Sequence, residues 1–233
     1  MGNLGVIAFA VILTVGLYAL SRRAFLRYGY PLMSPVFLST FVIIAVLTAC
    51  RIPFASYKPA EHIMTVLLGP AVVALALPLY RQRQTVLRLL PAVLAGVTSG
   101  SLVSLASVVA LARMAGLEKV IVVSLAPKSV TAPVAVEIAR LVGGDQALTA
   151  AFVITTGMLG SMLGPWFLSR IRIHDPVTRG LAVGTTSHGQ GTATMLLEGE
   201  TQGAVSGVAM ALAAVFVSII APFLIPWLVS LTP

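Results

Sequence analysis

Lys128, Ser129 and Thr131 stand in the segment Ala126-Pro-Lys-Ser-Val-Thr-Ala-Pro133, and Ser187, His188, Gly189, Gly191 and Thr192 stand in Gly184-Thr-Thr-Ser-His-Gly-Gln-Gly-Thr-Ala193. An ammonium neutralises an anion, and an imidazole with an unperturbed pKa of ~6.5 can hydrogen-bond a carboxylate or carry a proton. Hydroxyls and unobstructed glycine N–H groups add neutral donors, so the chemistry offered is the binding of a small polar solute. Apolar stretches flank both segments. Polar side chains and helix-interrupting Pro and Gly are then set at or near bilayer depth, where unpaired polar groups are costly and need a purpose.

Each of these residues also has a plainer reading. Lys128 could snorkel from a loop to the headgroups, and His188 could be a satisfied packing residue of a helix bundle. Ser129, Thr131, Ser187 and Thr192 suit helix capping as well as ligand contact. Gly189 and Gly191 suit a backbone turn or the close approach of a solute. Glu137 and Arg140, three apart, are expected to pair on one helix face, while Asp145, Asp175, Glu198 and Glu200 fall at helix ends or in loops, where solvation is expected.

Enzymatic readings find no support. HExxH and GxxxxGK[ST] are absent, and Thr185 occupies the first glycine position of what would be a GxSxG elbow around Ser187. His62, His174 and His188 are scattered without metal-ligand spacing. No metal, cofactor or catalytic residue is expected. A single cysteine, Cys50, excludes an intrachain disulfide.

The elements that must position these residues follow from composition. With 58% hydrophobic and 9% charged residues among 233, and a mean hydropathy of +1.01, the chain has more apolar surface than a soluble core of this size could hide. It reads as an all-α, polytopic integral membrane protein forming a single membrane domain over residues 1–233. The net charge of +8 does not point to nucleic acid, because Lys and Arg fall in short clusters between apolar runs rather than on a basic helix face. They read as topology signals and contacts to membrane lipids. The run from Leu4 to Leu20 has no positive region before it and no cleavage site after it, so it is expected to stay as a first helix.

Apolar segments at about 4–20, 31–50, 63–80, 89–112, 147–168 and 203–230 are each near or above the ~20 residues that span a bilayer, which predicts about six transmembrane helices. Glycine pairs one turn apart, at Gly96 and Gly100, Gly160 and Gly164, Gly180 and Gly184, and Gly203 and Gly207, predict close helix packing. Basic clusters at Arg22, Arg23 and Arg27, at Arg81, Arg83 and Arg88, and at Arg170, Arg172 and Arg179 mark cytoplasmic loops, which puts the N-terminus outside.

That assignment constrains the stretch from Leu117 to Val142, which cannot cross once. It should enter from outside, turn at Pro127 and Lys128, and leave by the same face as a re-entrant hairpin with halves at ~119–126 and ~130–142. The stretch from Leu181 to Leu197 invites the same reading from the cytoplasmic face. Two opposed hairpins, each followed by a full helix, form an inverted-repeat arrangement of the kind that builds a midplane transport site. The competing geometry has two discontinuous helices that each cross the membrane and unwind at the same islands. Both geometries open helix N-termini near residues 129–131 and 187–191, with N–H groups and the positive dipole end available to an anion.

At these residues the sequence resembles the LrgB/CidB family of membrane proteins, which includes the YohK-type proteins and the C-terminal half of the plastid glycolate/glycerate translocator. The resemblance is carried by Pro127-Lys-Ser-Val-Thr-Ala-Pro133, Gly143-Gly with Ala147-Leu-Thr-Ala, Thr156-Gly157 to Gly164-Pro165, Asp175-Pro176 with Arg179-Gly180-Leu-Ala, Ser187-His188 and Gly191-Thr192-Ala193. It covers nearly the whole chain and is most specific over residues 126–210. Gln190, Thr194 and Gln202 depart from the pattern, at positions expected to be small or apolar, basic, and acidic. The resemblance implies transport or export of small carboxylates such as glycolate, glycerate or pyruvate, in the inner cell membrane, often with a smaller LrgA/CidA-type membrane partner. It also implies an alternative, antiholin-like control of murein hydrolase activity and lysis. With the opposed islands it suggests elevator-like motion, residues 116–233 carrying the solute against a scaffold drawn mainly from residues 1–115, in a homodimer.

Overall fold

An apolar stretch placed in lipid becomes helical because only a helix satisfies each of its peptide groups internally. A computed structural model describes residues 3–74 and 76–231, and among these all regular structure is helical. The order is α1 (Asn3–Tyr28), a 3-10 turn (Pro31–Met33), α2 (Pro35–Ala49), α3 (Phe54–Ala74), α4 (Ala76–Arg81), α5 (Arg83–Arg88), α6 (Leu90–Met114), α7 (Lys119–Leu125), α8 (Ala132–Val142), α9 (Gln146–Arg170), α10 (Pro176–Glu198) and α11 (Glu200–Leu231). Of these α1, α6, α9 and α11 are long and apolar enough to cross a membrane, and α2 is a shorter apolar helix. The chain is thus a multi-pass membrane protein.

Several helices outrun the apolar windows that announce them. The first continues through Arg22, Arg23 and Arg27, α3 starts at Phe54 rather than near 63, and α11 starts at Glu200 rather than near 203. Hydropathy marks the part of a helix within hydrocarbon, whereas helical hydrogen bonding continues into the interface, where charged side chains are solvated. Residues 81–88, expected as a loop, hold the end of α4 and the whole of α5.

Local signals set the ends that matter for the site. Gly143, at φ 80°, stops α8 in the left-handed conformation that a side chain would oppose. Asp145 then caps α9 by accepting from the Leu148 N–H at 2.7 Å, and Asp175 caps α10 by accepting from the Thr178 N–H at 2.7 Å.

Two compact units divide at Leu77–Pro78. In the first, α1 packs on α2 and α3, and the hydroxyls of Thr14 and Tyr57 lie 2.7 Å apart. In the second, α10 packs on α9, α6 and α11, while α7 and α8 pack on α9 and α11. The scaffold expected over 1–115 thus includes a helix, α6, that packs on α10 and α11. One apolar cluster joins Leu105, Val109, Val122, Ala126, Val130, Val153, Val217 and Ile225. Large apolar side chains also face outward, with Ile12, Phe41, Val103, Leu111, Ile219 and Phe223 all more than 60% exposed, as a lipid-facing surface requires and a soluble one seldom shows.

Candidate functional site

The second polar island is a break, not a span. Helix α10 is interrupted at His188, whose φ of 40° and ψ of −135° are non-helical, and its two arms fold back on each other. Arg179, nine residues before His188, pairs with Glu198, ten residues after it, at 2.7 Å. A straight helix would hold positions 19 apart at ~28 Å. Closer to the tip, a Cβ on Gly191 would collide with Ser187 and Val183, and Val183 shares a buried cluster with Met195. Contacts at matching steps on either side of the break define an antiparallel hairpin.

Its base is fastened to the end of α9. The Arg179 guanidinium donates to both Glu198 carboxylate oxygens, at 2.8 and 2.7 Å, to the Ser169 hydroxyl at 3.1 Å, and to the carbonyls of Ile173 at 2.9 Å and Pro165 at 3.1 Å. All five N–H donors are used, and the side chain is buried. This corrects the expectation for Arg179, a buried clamp rather than a loop topology signal, while Glu198 stands exposed at a helix end as expected and is paired there. Opposite charges at nearly equal distances from His188 are the sequence signal that could have shown the pair. Nearby, the Thr178 hydroxyl and N–H hold the Asp175 carboxyl below the usual carboxylate range.

Glycines let the first arm of α10 touch three helices at backbone distance. A Cβ on Gly96 or Gly100 of α6 would meet Leu181 or Thr185, and one on Gly160 or Gly164 of α9 would meet Ser187 or Val183. A Cβ on Gly180 or Gly184 would meet the carbonyl of Gln202 or Ser206 on α11. The glycine pairs seen in the sequence are therefore contact surfaces of this one hairpin.

At the tip, His188 is buried, and its Nε2–H donates to the Val153 carbonyl at 3.0 Å. That bond leaves Nδ1 on the opposite edge of the ring for a second partner. Gly157 lies under the ring, for a Cβ there would strike His188 and the Gln190 side chain. Ser187 is buried, its hydroxyl 3.3 Å from that of Thr186, and Gly191 is buried while Gly189 is exposed. Thr192 faces inward, its hydroxyl donating to the His188 carbonyl at 3.0 Å and lying 3.0 Å from the Ser206 hydroxyl. It braces the break from behind.

The first island is a turn between α7 and α8. Asp145, just past α8, comes back to α7 and donates its N–H to the Ser124 hydroxyl at 2.8 Å, so the chain returns beside its own inward path. Ser129 is buried, Lys128 and Thr131 half-buried. Thr131 precedes α8 without a side-chain cap, and proline occupies the first turn, so the leading N–H groups of α8 are not claimed by a capping oxygen. Lys128 Nζ makes a long contact of 3.5 Å with Ser104 Oγ on α6. The Glu137–Arg140 pair forms as expected, at 2.8 Å on an exposed face.

Two observations relate the islands to each other. The register that sets Gly96 against Leu181 and Gly100 against Thr185 puts Ser104, one turn on, level with the His188–Gly189 break, and Lys128 reaches Ser104. Val153 of α9 belongs to the apolar cluster of Ala126 and Val130 from the first island, and its carbonyl receives His188 from the second. Val153 and Gly157 lie ~10 and ~16 Å along a helix of ~37 Å, so the second tip meets α9 near its middle. Among the described residues no group of three or more His, Cys, Asp or Glu could hold a metal.

A model of the LrgB-like family matches residues 14–227. The chain is 36% identical to the uncharacterized protein YxaC of Bacillus subtilis, covering 94% of each chain. It is 33% identical to the holin-like protein CidB of Staphylococcus epidermidis and 34% identical to that of Staphylococcus aureus, covering 92% of this chain and 94% of each relative. No solved structure matches. The family match takes in both hairpins and the helices that hold them, and the chain belongs to the LrgB-like family.

Proposed function

We propose that the protein is a secondary transporter of small carboxylates, of the glycolate, glycerate and pyruvate class, working by alternating access. The observation that carries this reading is the approach of two polar hairpin tips to one stretch of α9 from opposite ends of the bundle, with Val153 packed toward one and bonded by the other. Lys128, His188 and two helix starts give that region positive potential, and none of the chain's acidic residues lies in either island, which favours an anion over a cation. Lys128, Ser129 and Thr131 bind from one side, and Ser187, His188, Gly189 and Gly191 from the other, with Thr192 holding the backbone they share. Residues 116–233 carry the solute against a scaffold drawn mainly from residues 1–115, and the glycine faces of α6 offer a smooth contact for such movement. A homodimeric scaffold and an LrgA/CidA-type membrane partner complete the reading.

A second reading has its own support, the name of the CidB relatives, which are called holin-like. On that reading the protein is an antiholin-like regulator of murein hydrolase activity and lysis. Counterflow of labelled glycolate or pyruvate in proteoliposomes separates the two. Transport gives saturable exchange, competed by related acids and reduced at least tenfold by Lys128→Ala or His188→Ala. Unselective leakage of unrelated solutes, indifferent to both substitutions, would favour the holin-like view.

A further inference from the structure

Gln190 is two residues beyond the break, in the first turn of the second arm, where its carbonyl accepts from the Thr194 hydroxyl at 3.3 Å. Its side chain turns toward α9. There the amide oxygen, Oε1, is buried, and no described residue donates to it. A Cβ built on Gly157 would lie 2.7 Å from this oxygen and 2.6 Å from His188 Nε2. Both atoms therefore stand over the same glycine, at most 5.3 Å from each other.

A buried carbonyl oxygen without a donor is unfavourable and rare in folded chains. The Ser101 hydroxyl is also buried without a partner, but it is on the face of α6 between Val97 and Leu105, within apolar packing. Gln190 is at the break, beside the imidazole, and an amide oxygen can only accept. The missing component is a hydrogen-bond donor.

We propose that Gln190 is a specificity-determining residue, its Oε1 accepting a hydrogen bond from the hydroxyl of a bound 2-hydroxy carboxylate. This rests on the carboxylate-transport reading and adds a preference within that class. A 2-oxo acid of the same skeleton would set its own carbonyl oxygen against Oε1, leaving two acceptors facing each other with no proton between them. A site built to bond a hydroxyl discriminates strongly against an analogue that lacks it.

The test is competition of lactate and pyruvate, which share a carbon skeleton, against labelled glycolate counterflow in proteoliposomes of the whole protein. Wild type should be inhibited by one enantiomer of lactate about tenfold more strongly than by pyruvate. In Gln190→Met that ratio should fall toward one, chiefly through weaker lactate competition. Gln190→Glu keeps an acceptor but adds a negative charge, so both acids should weaken while the preference for lactate survives. A purely structural role would weaken both acids together in Gln190→Met and leave the ratio intact, which overturns the proposal, as does a wild type that does not distinguish the two. Absence of saturable exchange with any acid overturns the transport reading itself and this inference with it.

Discussion

His188 combines two demands that pull against each other. Its φ of 40° is a conformation that side chains oppose, yet the imidazole must be there to meet Val153 and leave Nδ1 open. In a continuous helix Ala is preferred over Gly by about 1 kcal/mol. At a positive-φ break the order inverts, because only glycine adopts the conformation freely. Thermal unfolding in detergent should therefore find His188→Gly more stable than His188→Ala by about 1 kcal/mol, with both inactive in counterflow. The opposite order would mean that α10 runs unbroken through position 188. The sequence could mark His188 as unusual through its Gly and hydroxyl neighbours, but could not show that Thr192 faces inward or that Gln190 faces α9. Those directions depend on the register of the arms around the break, which a run of small polar residues leaves open.

Among the elements, the hairpin of α10 is held at its base by Arg179 and at its tip by His188, with glycine contacts between. Removing one partner of a buried ion pair leaves the other charge uncompensated and costs about 3–5 kcal/mol, whereas replacing both is milder. Glu198 is exposed and keeps 23% of its side-chain exposure, so water can solvate its freed charge and Arg179→Ala should fall below that range, at about 1–3 kcal/mol from the lost hydrogen bonds, with Arg179→Met and Glu198→Met together recovering part of the loss in the same unfolding measurement. Asp175, at the start of this hairpin, gives a pH dependence of known sign. Its folded pKa is lowered by Thr178, so its capping contribution is complete above the ordinary carboxylate value of ~3.9 and is lost as pH falls through the lowered one. Between pH 5 and 8 the cap should therefore be pH-independent, Asp175→Asn nearly neutral, and Asp175→Ala less stable by about 1 kcal/mol. The full-length spans were legible because hydropathy over ~20 residues leaves little choice. The clamp was not, since no local pattern joins residues 19 apart until the chain is known to fold back.

For the molecule as a whole, the two readings of the islands differ in which termini share a face. With hairpins, the residues before and after each island lie on one side of the membrane, and with broken crossing helices they lie on opposite sides. The Arg179–Glu198 and Ser124–Asp145 contacts require the first arrangement, and by the positive-inside rule the basic residues of 81–88 and 170–172 predict that the base of the α10 hairpin faces the cytoplasm. Because Cys50 is the chain's single cysteine, Cys50→Ser gives a background for single-cysteine labelling with a membrane-impermeant maleimide. In that background Glu118→Cys and Gln146→Cys, on either side of the first island and both exposed, should label in intact cells. His174→Cys and Glu200→Cys, flanking the second and also exposed, should label only after the membrane is opened. A mixed result within either pair would mean that its island crosses the bilayer, and the opposed tips that bring Lys128 and His188 to one level of the bundle would lose their geometric basis.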